Sequence, residues 1–241
     1  IHTFPRGGSD VTGALAAAAL RADVYENWTD VPGVLTADPR IVPEAEPIPS
    51  LSFEELGQLS GVGTQVLHES AVEPVREQHI PLQIRSTFRP ELPGTLIRTR
   101  HDGAAGVAGF AGRRRVAMLR VHGSAAGAAA EALRGMGAEP FCLSETLGQT
   151  TALLDMGAGA GTATLAARLR AQLPGAEVTL RENLAVLAAI CRTSDVIPPV
   201  LQAVESAGVP VHHLLRCAPG LLMIVNDSQY ETALRAVAGT K

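Results

Sequence analysis

The stretch Arg6-Gly7-Gly8-Ser9-Asp10 precedes an Ala- and Leu-rich run over residues 11–21 that contains no proline. We predict that a helix begins at this stretch, with Ser9 or Asp10 as its N-cap. Glycines let backbone N–H groups approach an anion closely at the positive end of the helix. Arg6 adds a charge that can grip a carboxylate or a phosphate at two points. A glycine pair before a capped helix is also common where no ligand binds, so the stretch alone leaves both interpretations open.

Two turns follow the next apolar segment of the chain. Residues 24–29 have the pattern of a strand, and prolines at positions 32 and 39 place turns at residues 30–33 and 38–40. Proline disfavours the helical conformation in the residue that precedes it, which supports both turns. Open α/β sheets bind ligands beyond the carboxyl ends of their strands. We therefore expect polar groups of a binding site at the end of this strand.

The rest of the first hundred residues predicts two helices and a strand. Ser52 and Glu55 have the spacing of a capping box, which starts a helix with Phe53, Leu56 and Leu59 on one face. A second helix is predicted over residues 64–78, kinked or interrupted by Pro74. The alternating residues 81–88 predict a strand.

Beyond residue 100 a β-α-β-β-α-β pattern occurs twice. The second copy lacks a fourth strand, and we expect residues 106–112 to return and complete its sheet, because an exposed sheet edge is usually covered. Residues 113–115, three arginines, are interpreted as a solvated hairpin. The predicted strands are residues 115–122, 139–146, 150–156, 176–181, 184–191, 209–217 and 221–226, and the predicted helices are residues 125–136, 162–172, 195–207 and 229–237.

The composition excludes several classes of function. The 241 residues are 46% hydrophobic and carry a net charge of −4, so neither a nucleic-acid partner nor a disordered chain is predicted. No apolar run is long enough for a membrane span. Cys142, Cys191 and Cys217 are predicted to be buried thiols in a reducing, cytoplasmic environment. The seven histidines show no metal-ligand spacing, so we predict no metal site made of protein side chains.

Several blocks, in order and at matching spacing, resemble the aspartokinases. The resemblance covers essentially the whole chain, but only the C-terminal half of that family's kinase domain. It implies an α/β fold: a partial amino-acid-kinase open αβα sandwich over residues 1–100, followed over residues 101–241 by two ferredoxin-like βαββαβ ACT modules at about 113–183 and 184–241. The blocks are Arg6-Gly7-Gly8-Ser9-Asp10, Trp28-Thr29-Asp30-Val31-Pro32-Gly33, Thr36-Ala37-Asp38-Pro39-Arg40, Val66-Leu67-His68 and Pro93-Gly94-Thr95-Leu96-Ile97.

The resemblance implies a phosphoryl transfer from ATP, with Mg²⁺, to the β-carboxylate of L-aspartate. The product, aspartyl phosphate, begins the biosynthesis of lysine, threonine and methionine. Asp10 is the implied catalytic residue, which orients the groups around the phosphoryl. The implied aspartate-binding residues are Arg6, Gly7, Gly8 and Ser9, and the implied nucleotide-binding residues are Thr29, Asp30, Leu35, Arg40, Gln65 and Val66.

The ACT-like region implies feedback regulation by lysine, threonine or both. The effector is expected where the first strand meets its helix, at Gly123 and Ser124, facing Ser144 and Glu145. Free N–H groups there can bind the carboxylate of an amino acid, while Glu145 can meet its ammonium group. The resemblance also implies a homodimer or a larger assembly formed through these modules.

The sequence departs from the family pattern at several points. The block that carries the family's catalytic lysine is absent, a second lysine is replaced by Gln65, an aromatic residue by Leu35 and a glycine by Pro5. Because the chain begins with Ile1, we expect a fragment that is not a competent kinase by itself. A non-catalytic amino-acid sensor remains the alternative. A glutamate kinase fits the fold, but not the Trp28–Gly33 block or the ACT pair. Trp28 is interpreted as structural.

Overall fold

A computed structural model of the chain describes residues 8–63, 67, 69–100, 105–123, 125–156, 161–217 and 220–240. It contains a four-stranded mixed sheet and a six-stranded antiparallel sheet, both with helices packed on them. This arrangement confirms the predicted α/β fold class. Within the described ranges, no helix combines the length and the apolar character needed to cross a bilayer.

The four-stranded sheet belongs to the first hundred residues and has the strand order β1-β3-β4-β2. The β1/β3 and β2/β4 pairs are parallel, whereas β3 and β4 are antiparallel. The sheet is buried beneath the helices, with Leu51, Leu82, Ile84 and Ile97 fully buried. The elements are α1 (Gly8–Leu20), β1 (Tyr25–Thr29), β2 (Ser50–Ser52), α2 (Phe53–Val62), α3 (Glu69–Glu77), β3 (Leu82–Ser86) and β4 (Thr95–Arg98).

The helix boundaries in this region confirm some predictions and correct others. The capping box is present: the Ser52 backbone N–H donates to Glu55 Oε2 at 2.7 Å, and the Glu55 N–H donates to Ser52 Oγ at 3.1 Å. Helix α1 already includes Gly8, so Ser9 and Asp10 lie in its first turn and neither is the N-cap. The predicted interruption at Pro74 is wrong, because α3 continues through this residue.

The six-stranded sheet forms the second region and has the strand order β6-β7-β5-β8-β10-β9, with every neighbouring pair antiparallel. Three one-turn 3₁₀ helices accompany its α-helices. Its elements are β5 (Val107–His122), α4 (Ala129–Gly135), β6 (Cys142–Thr146), β7 (Gln149–Asp155), α5 (Thr162–Gln172), β8 (Glu177–Cys191), α6 (Ile197–Ser206), β9 (His213–Cys217), β10 (Gly220–Asn226) and α7 (Tyr230–Ala238).

Two long central strands, β5 and β8, replace three shorter predicted strands and the returning segment predicted at residues 106–112. In β5, residues 107–113 pair with residues 186–191 of β8, and residues 118–122 pair with residues 177–181. Arg115 and Asn183, at φ 57° and 56°, mark the irregular point in each strand. A register shift of this kind bends a strand without ending it. β5 and β8 therefore run through both halves of the sheet.

The arginine run at residues 113–115 lies within β5, so the predicted solvated hairpin is wrong. Arg113 Nη1 lies 2.9 Å from Asp155 Oδ2, and Arg114 Nη2 lies 2.9 Å from Asp227 Oδ2. Both carboxylates belong to other elements of the same sheet region. The run spans the register shift between Arg113 and Val116, and its side chains link β5 to neighbouring segments.

Alternation along β8 divides its side chains between two hydrophobic cores. Ala185, Leu187 and Ala189 pack among residues of α6 and α7. Val186 and neighbouring even-numbered residues pack on the opposite face, together with Val62 of α2. Successive residues of a strand point to opposite faces, so this apolar run is explained by burial on both sides.

A buried ion pair joins the two sheets. Arg192, just after β8, donates from Nε to Glu55 Oε1 at 2.8 Å and from Nη2 to the Ser50 carbonyl at 2.7 Å. The Glu55 and Arg192 side chains are 1% and 11% exposed. Glu55 therefore serves both its own helix cap and the second region of the chain.

The cysteines match the prediction in part. Cys191 is buried, and its burial raises the pKa of the thiol. Cys142 is half-buried, because it lies on the outer strand β6 of the sheet. Nothing is described for the side chain of Cys217.

Candidate functional site

Asp10 is held at the start of α1 by polar side chains of β1. Its Oδ1 accepts a hydrogen bond from Asn27 Nδ2 at 3.3 Å, and its backbone carbonyl accepts one from the Tyr25 hydroxyl at 3.1 Å. Asn27 is itself buried. Gly13, one turn further along α1, allows this approach, because a Cβ there would lie 2.7 Å from the Tyr25 hydroxyl. Asn27 thus orients the carboxylate, and Tyr25 holds the helix backbone at the same residue.

Thr29 lies at the carboxyl end of β1, on the same face as Asn27. Its hydroxyl donates to Asp30 Oδ1 at 3.2 Å, and its carbonyl accepts from the Thr87 N–H at 2.8 Å and the Thr87 hydroxyl at 3.0 Å. These bonds tie the ends of the parallel strands β1 and β3 together. Through Asn27, the structure brings Asp10 close to the end of the strand that carries Thr29 and Asp30.

Two of the blocks quoted above meet beyond this strand end. The backbone N–H of Val34 donates to Thr95 Oγ1 at 2.9 Å. Gly33, at φ +143°, lies beside the same hydroxyl, because a Cβ there would be 2.6 Å from Thr95 Oγ1. A side chain at Gly94, at φ +72°, would overlap the Ile84 carbonyl. These glycines are therefore required for the loop after β1 to lie against β3 and β4.

Arg40 is paired with Asp38 in the second turn of this loop. Its Nη2 lies 2.7 Å from Asp38 Oδ2, and its Nε and backbone N–H donate to Asp38 Oδ1 at 3.0 and 2.9 Å. The hydrogen bonds from Arg40 lower the pKa of Asp38, more than burial raises it. The arginine side chain is 87% exposed, and its Nη1 makes none of these bonds. The Nη1 side of the guanidinium is therefore available to bind an anion.

The loop after β1 also forms one wall of a pocket of about 330 Å³. Leu35 and Arg40 line it together with Phe110 of β5 and Tyr230 of α7, so both regions of the chain contribute. Its volume lies at the lower end of the range for small-molecule sites. The structure thus brings together two predicted nucleotide-binding residues, whereas Thr29 and Asp30 lie just outside the lining, next to Val31, which belongs to it.

Of the remaining predicted site residues, the structure describes some and not others. Gly8 and Ser9 lie in the first turn of α1, with Ser9 exposed. Gly63, which ends α2, lines the pocket. Arg6, Gly7, Gln65, Val66 and Ser124 lie outside the described residues.

The chain is similar to proteins of known family along most of its length. Residues 2–86 match the model of the amino acid kinase family. Aspartokinase 2 of Arabidopsis thaliana, a chloroplastic protein, is 30% identical over 98% of this chain and 47% of its own length. The chain spans less than half the length of the curated relatives it matches.

Solved structures match almost the whole chain. Aspartate kinase of Clostridium acetobutylicum superposes with a TM-score of 0.86 at 26% identity, over 99% of this chain and 59% of that one. The chain is of the aspartokinase type. Aspartokinase III of Escherichia coli matches at 27% identity over 98% of this chain and 56% of that one. Its complex with aspartate and ADP gives a TM-score of 0.80. Its complex with lysine and aspartate gives 0.75.

Three of the four predicted effector residues of this aspartokinase-type chain are described, and they lie at one end of the six-stranded sheet. Gly123, at φ +115°, donates its N–H to the Gly148 carbonyl at 3.0 Å. Glu145 pairs with Thr150, whose hydroxyl donates to the Ala126 carbonyl at 2.7 Å. Cross-strand partners share a face, so Glu145 lies on the face of the Gly123 loop. Ser144 lies on the opposite face, because it adjoins Glu145 in β6.

Sequence reasoning missed the residues that support the site. In the sequence, only the alternation of residues along β1 indicates that Tyr25 and Asn27 share a face. The same alternation places Glu26 and Trp28 on the other face of the strand. There Arg85 lies 4.6 Å from the centre of the Trp28 ring and 3.2 Å from Glu26. These contacts are consistent with the structural role expected of Trp28. No pattern in the sequence connects Tyr230 with the loop after β1.

Proposed function

We propose that the chain is the C-terminal part of a feedback-regulated aspartate kinase, which transfers the γ-phosphoryl group of ATP to the β-carboxylate of L-aspartate. The observation that carries the proposal is the placement of Asp10 beside the carboxyl end of β1, through Asn27 at 3.3 Å. The next residues of the chain then form a pocket with Leu35 and Arg40. An in-line phosphoryl transfer requires a group that positions the reactants and a cation close to the phosphates. Asp10 and the exposed Arg40 can supply these groups at the end of β1 and in the loop after it.

The proposed roles follow from these positions. Gly8 and Ser9, with Arg6 and Gly7 before them, would hold aspartate at the positive end of α1. Asp10 would orient the groups around the transferring phosphoryl. The E. coli aspartokinase III that resembles this chain was solved with aspartate and ADP, which supports sites for both ligands here.

The nucleotide would occupy the pocket beyond β1. Thr29 and Asp30 would lie at its edge, Leu35 would contact the nucleoside and Arg40 would approach the phosphates with its free Nη1 edge. Gln65 and Val66 complete this proposed set. Arg40 and Asp38 form an ion pair with three side-chain hydrogen bonds, which fixes the guanidinium plane before a phosphate arrives.

Mg²⁺ is expected to accompany the nucleotide. Among the described residues, no group of three His, Cys, Asp or Glu side chains is arranged to hold a metal ion. The described residues therefore fit Mg²⁺ only where substrate phosphates supply most of its ligands. In kinases, Mg²⁺ is usually bound by substrate phosphates with one or two carboxylates. When bound, the ion would neutralise charge on the phosphates. The roles proposed for the side chains do not depend on its position.

We propose the domain division on the same basis. Residues 1–100 would be the nucleotide-binding half of the kinase domain and residues 101–241 the regulatory region. The latter would hold ACT modules at about 113–183 and 184–241, the second completed by residues 106–112. This division is supported by the pairing of residues 107–113 with β8.

The regulatory modules would bind lysine, threonine or both. Gly123, Ser124 and Glu145 would form the effector site, with Ser144 behind it on the other face of β6. The lysine complex of the E. coli relative supports this ligand class. The assembly would be a homodimer or larger, formed through these modules, in a cytoplasmic enzyme of lysine and threonine biosynthesis.

The test is aspartate-dependent ADP release by the native, complete protein that carries this sequence. Asp10→Asn should lower kcat by about 100-fold or more, since a charge that orients the reacting groups is lost. ADP binding should be retained. Asp23→Asn, at an exposed position, is the matched control and should leave kcat unchanged. Turnover without any dependence on aspartate would overturn the proposal, as would an active Asp10→Asn variant.

A non-catalytic amino-acid sensor is the second candidate function. Gln65 and Leu35 favour it, because they replace a lysine and an aromatic residue of the pattern that the chain resembles. The encoded sequence upstream of Ile1 separates the two candidates, since a kinase needs a block with the catalytic lysine there. Binding of lysine or threonine without aspartate-dependent ATP turnover would support the sensor.

A further inference from the structure

The wall of the pocket opposite the loop after β1 contains a tyrosine from the far end of the chain. Tyr230, the first residue of α7, lines the pocket together with Gly112 of β5. Gly112 allows this approach, because a Cβ at that position would overlap both the ring and the hydroxyl of Tyr230. The hydroxyl end of the ring therefore lies directly against a strand that forms part of the pocket.

The Tyr230 hydroxyl has no hydrogen-bond partner among the described residues. The residue as a whole is 4% exposed, but its hydroxyl is not one of the fully enclosed polar atoms that lack a partner. The hydroxyl is therefore accessible, and the residue lines the pocket. A ligand in the pocket can accept the hydrogen bond that the hydroxyl otherwise donates to water.

Burial keeps the Tyr230 hydroxyl protonated. Burial, and then the charge of Asp38, raise the pKa of Tyr230 to about 12, against the opposing effects of Arg114 and Arg40. At neutral pH the group is thus a neutral hydrogen-bond donor. It is suited to an acceptor nitrogen or oxygen of an uncharged ligand moiety.

The pocket is divided into an apolar part and a charged mouth. Leu35, Phe110 and Ala111 supply apolar surface, and Phe110 is 2% exposed. Arg40, at 87% exposure, marks the side open to solvent. A nucleotide fits this division with its base and ribose inward and its phosphates outward. Tyr230, itself buried, belongs to the inner part.

We propose that the Tyr230 hydroxyl donates a hydrogen bond to the nucleoside moiety of a nucleotide bound in this pocket. Tyr230 is then a nucleotide-binding residue that the second region supplies to the site of the first. This inference rests on the nucleotide site of the proposed function. It brings a bound nucleotide into direct contact with α7.

The experiment measures ADP and tripolyphosphate binding by calorimetry, with the native, complete protein. Tyr230→Phe keeps the ring on Gly112 and removes the hydroxyl alone. It should raise the Kd for ADP about fivefold, as expected for one lost hydrogen bond, and leave the Kd for tripolyphosphate unchanged. Arg40→Gln is the comparison variant and should weaken both ligands. The thermal midpoint of Tyr230→Phe without ligand reports whether the fold is intact.

The outcomes separate this inference from the proposed function. If Tyr230→Phe binds ADP as the wild type does, the inference is wrong and the nucleotide site stands. Equal weakening of ADP and tripolyphosphate would also overturn it, because the hydroxyl would then serve the phosphates or the fold. If the wild-type protein binds tripolyphosphate but shows no preference for ADP, the nucleoside subsite is wrong. If it binds neither ligand, the nucleotide site and the inference fail together.

Discussion

The four-stranded and the six-stranded sheets use their strands in opposite ways. In the first, polar groups collect where β1 ends, with Asn27 and Thr29 on the face that meets Asp10. In the second, the central strand β8 is buried without interruption from Leu184 to Cys191, and both of its faces are covered. The first sheet therefore positions a site at a strand end, whereas the second provides a stable support against which that site is held.

Polar contacts join the two sheets. They include the Glu55–Arg192 ion pair and the hydrogen bond from the Phe110 N–H to the Thr36 carbonyl at 2.7 Å. Tyr230 of the second region also reaches the pocket. The ion pair is buried, so it depends on a correct fit between the regions. The polar chemistry of the chain therefore lies at strand ends and at the junction, and variants at both kinds of position can test this.

The largest effect should come from the core of the second sheet. Leu187→Ala removes a fully buried side chain from the middle of β8, and we expect a loss of about 4 kcal/mol in the free energy of unfolding. Urea denaturation checks this. Leu214→Ala on the outer strand β9, where the side chain is 44% exposed, is the control and should cost well under half as much. Similar losses in both variants would contradict the role of β8 as the central support.

Breaking the junction should have the next largest effect. Glu55→Ala leaves Arg192 buried without its partner and removes the capping box of α2, for an expected loss of about 3 kcal/mol. We also expect the two regions to unfold separately, which differential scanning calorimetry would show as two transitions. Glu73→Ala, in the exposed pair with Arg76, should cost less than about 1 kcal/mol. A single transition at an unchanged temperature would refute the proposed junction.

Two glycine-to-alanine substitutions compare a turn of the first sheet that needs glycine with a helix position that does not. Gly94→Ala places a Cβ against the Ile84 carbonyl at a positive φ and should cost about 2 kcal/mol, because the turn before β4 has to shift. Gly57→Ala, within α2 and with no atom within 4 Å of the added Cβ, should stabilise by about 0.5–1 kcal/mol. Opposite signs in chemical denaturation are the expected result, and a neutral Gly94→Ala would show that this turn tolerates a side chain.

The smallest effect concerns the pH dependence of the second sheet. Burial alone would raise the pKa of Asp227, but hydrogen bonds from Arg114 and from the Arg115 N–H outweigh it, and the pKa is lowered. A lowered carboxyl pKa stabilises the protein above the unfolded value of about 3.9, and the stabilisation disappears as the pH falls. Asp227→Asn should therefore cost less than about 1 kcal/mol at pH 7, because the groups are partly exposed.

Urea midpoints of the wild type and of Asp227→Asn, measured between pH 7 and pH 3, check this prediction. The two curves should converge toward pH 3, since Asp227 becomes neutral in the wild type as well. A difference that is constant over this range would mean that the charge of Asp227 does not contribute.

Much of the fold could be predicted because its signals are local. The capping box at Ser52 and Glu55 needs only a spacing of three residues, and the structure contains both of its hydrogen bonds. The strands β1 and β3 lie within one or two residues of the bounds predicted for them, residues 24–29 and 81–88. In contrast, Pro74 lies inside α3, where the packing of the helix outweighs the missing N–H.

Parts of the candidate site were predictable for a different reason. Asp10, Thr29 and Arg40 were selected from ordered blocks, and the structure places all three near the end of β1 or in the loop that follows it. Arg192 and Tyr230 were not selected, because each contacts residues more than a hundred positions away. A single sequence contains no signal for such pairs.

By itself, the sequence determined the periodicity of the elements, the turns at the prolines and the glycines of the loop after β1, since these depend on neighbours along the chain. Only the tertiary structure decided that β5 and β8 each run through both halves of one sheet, and that Glu55 pairs with Arg192. It also decided that the Tyr230 hydroxyl faces a pocket. The physical reason is that strand pairing and buried charges are selected by the free energy of the whole packed chain, which no local pattern contains.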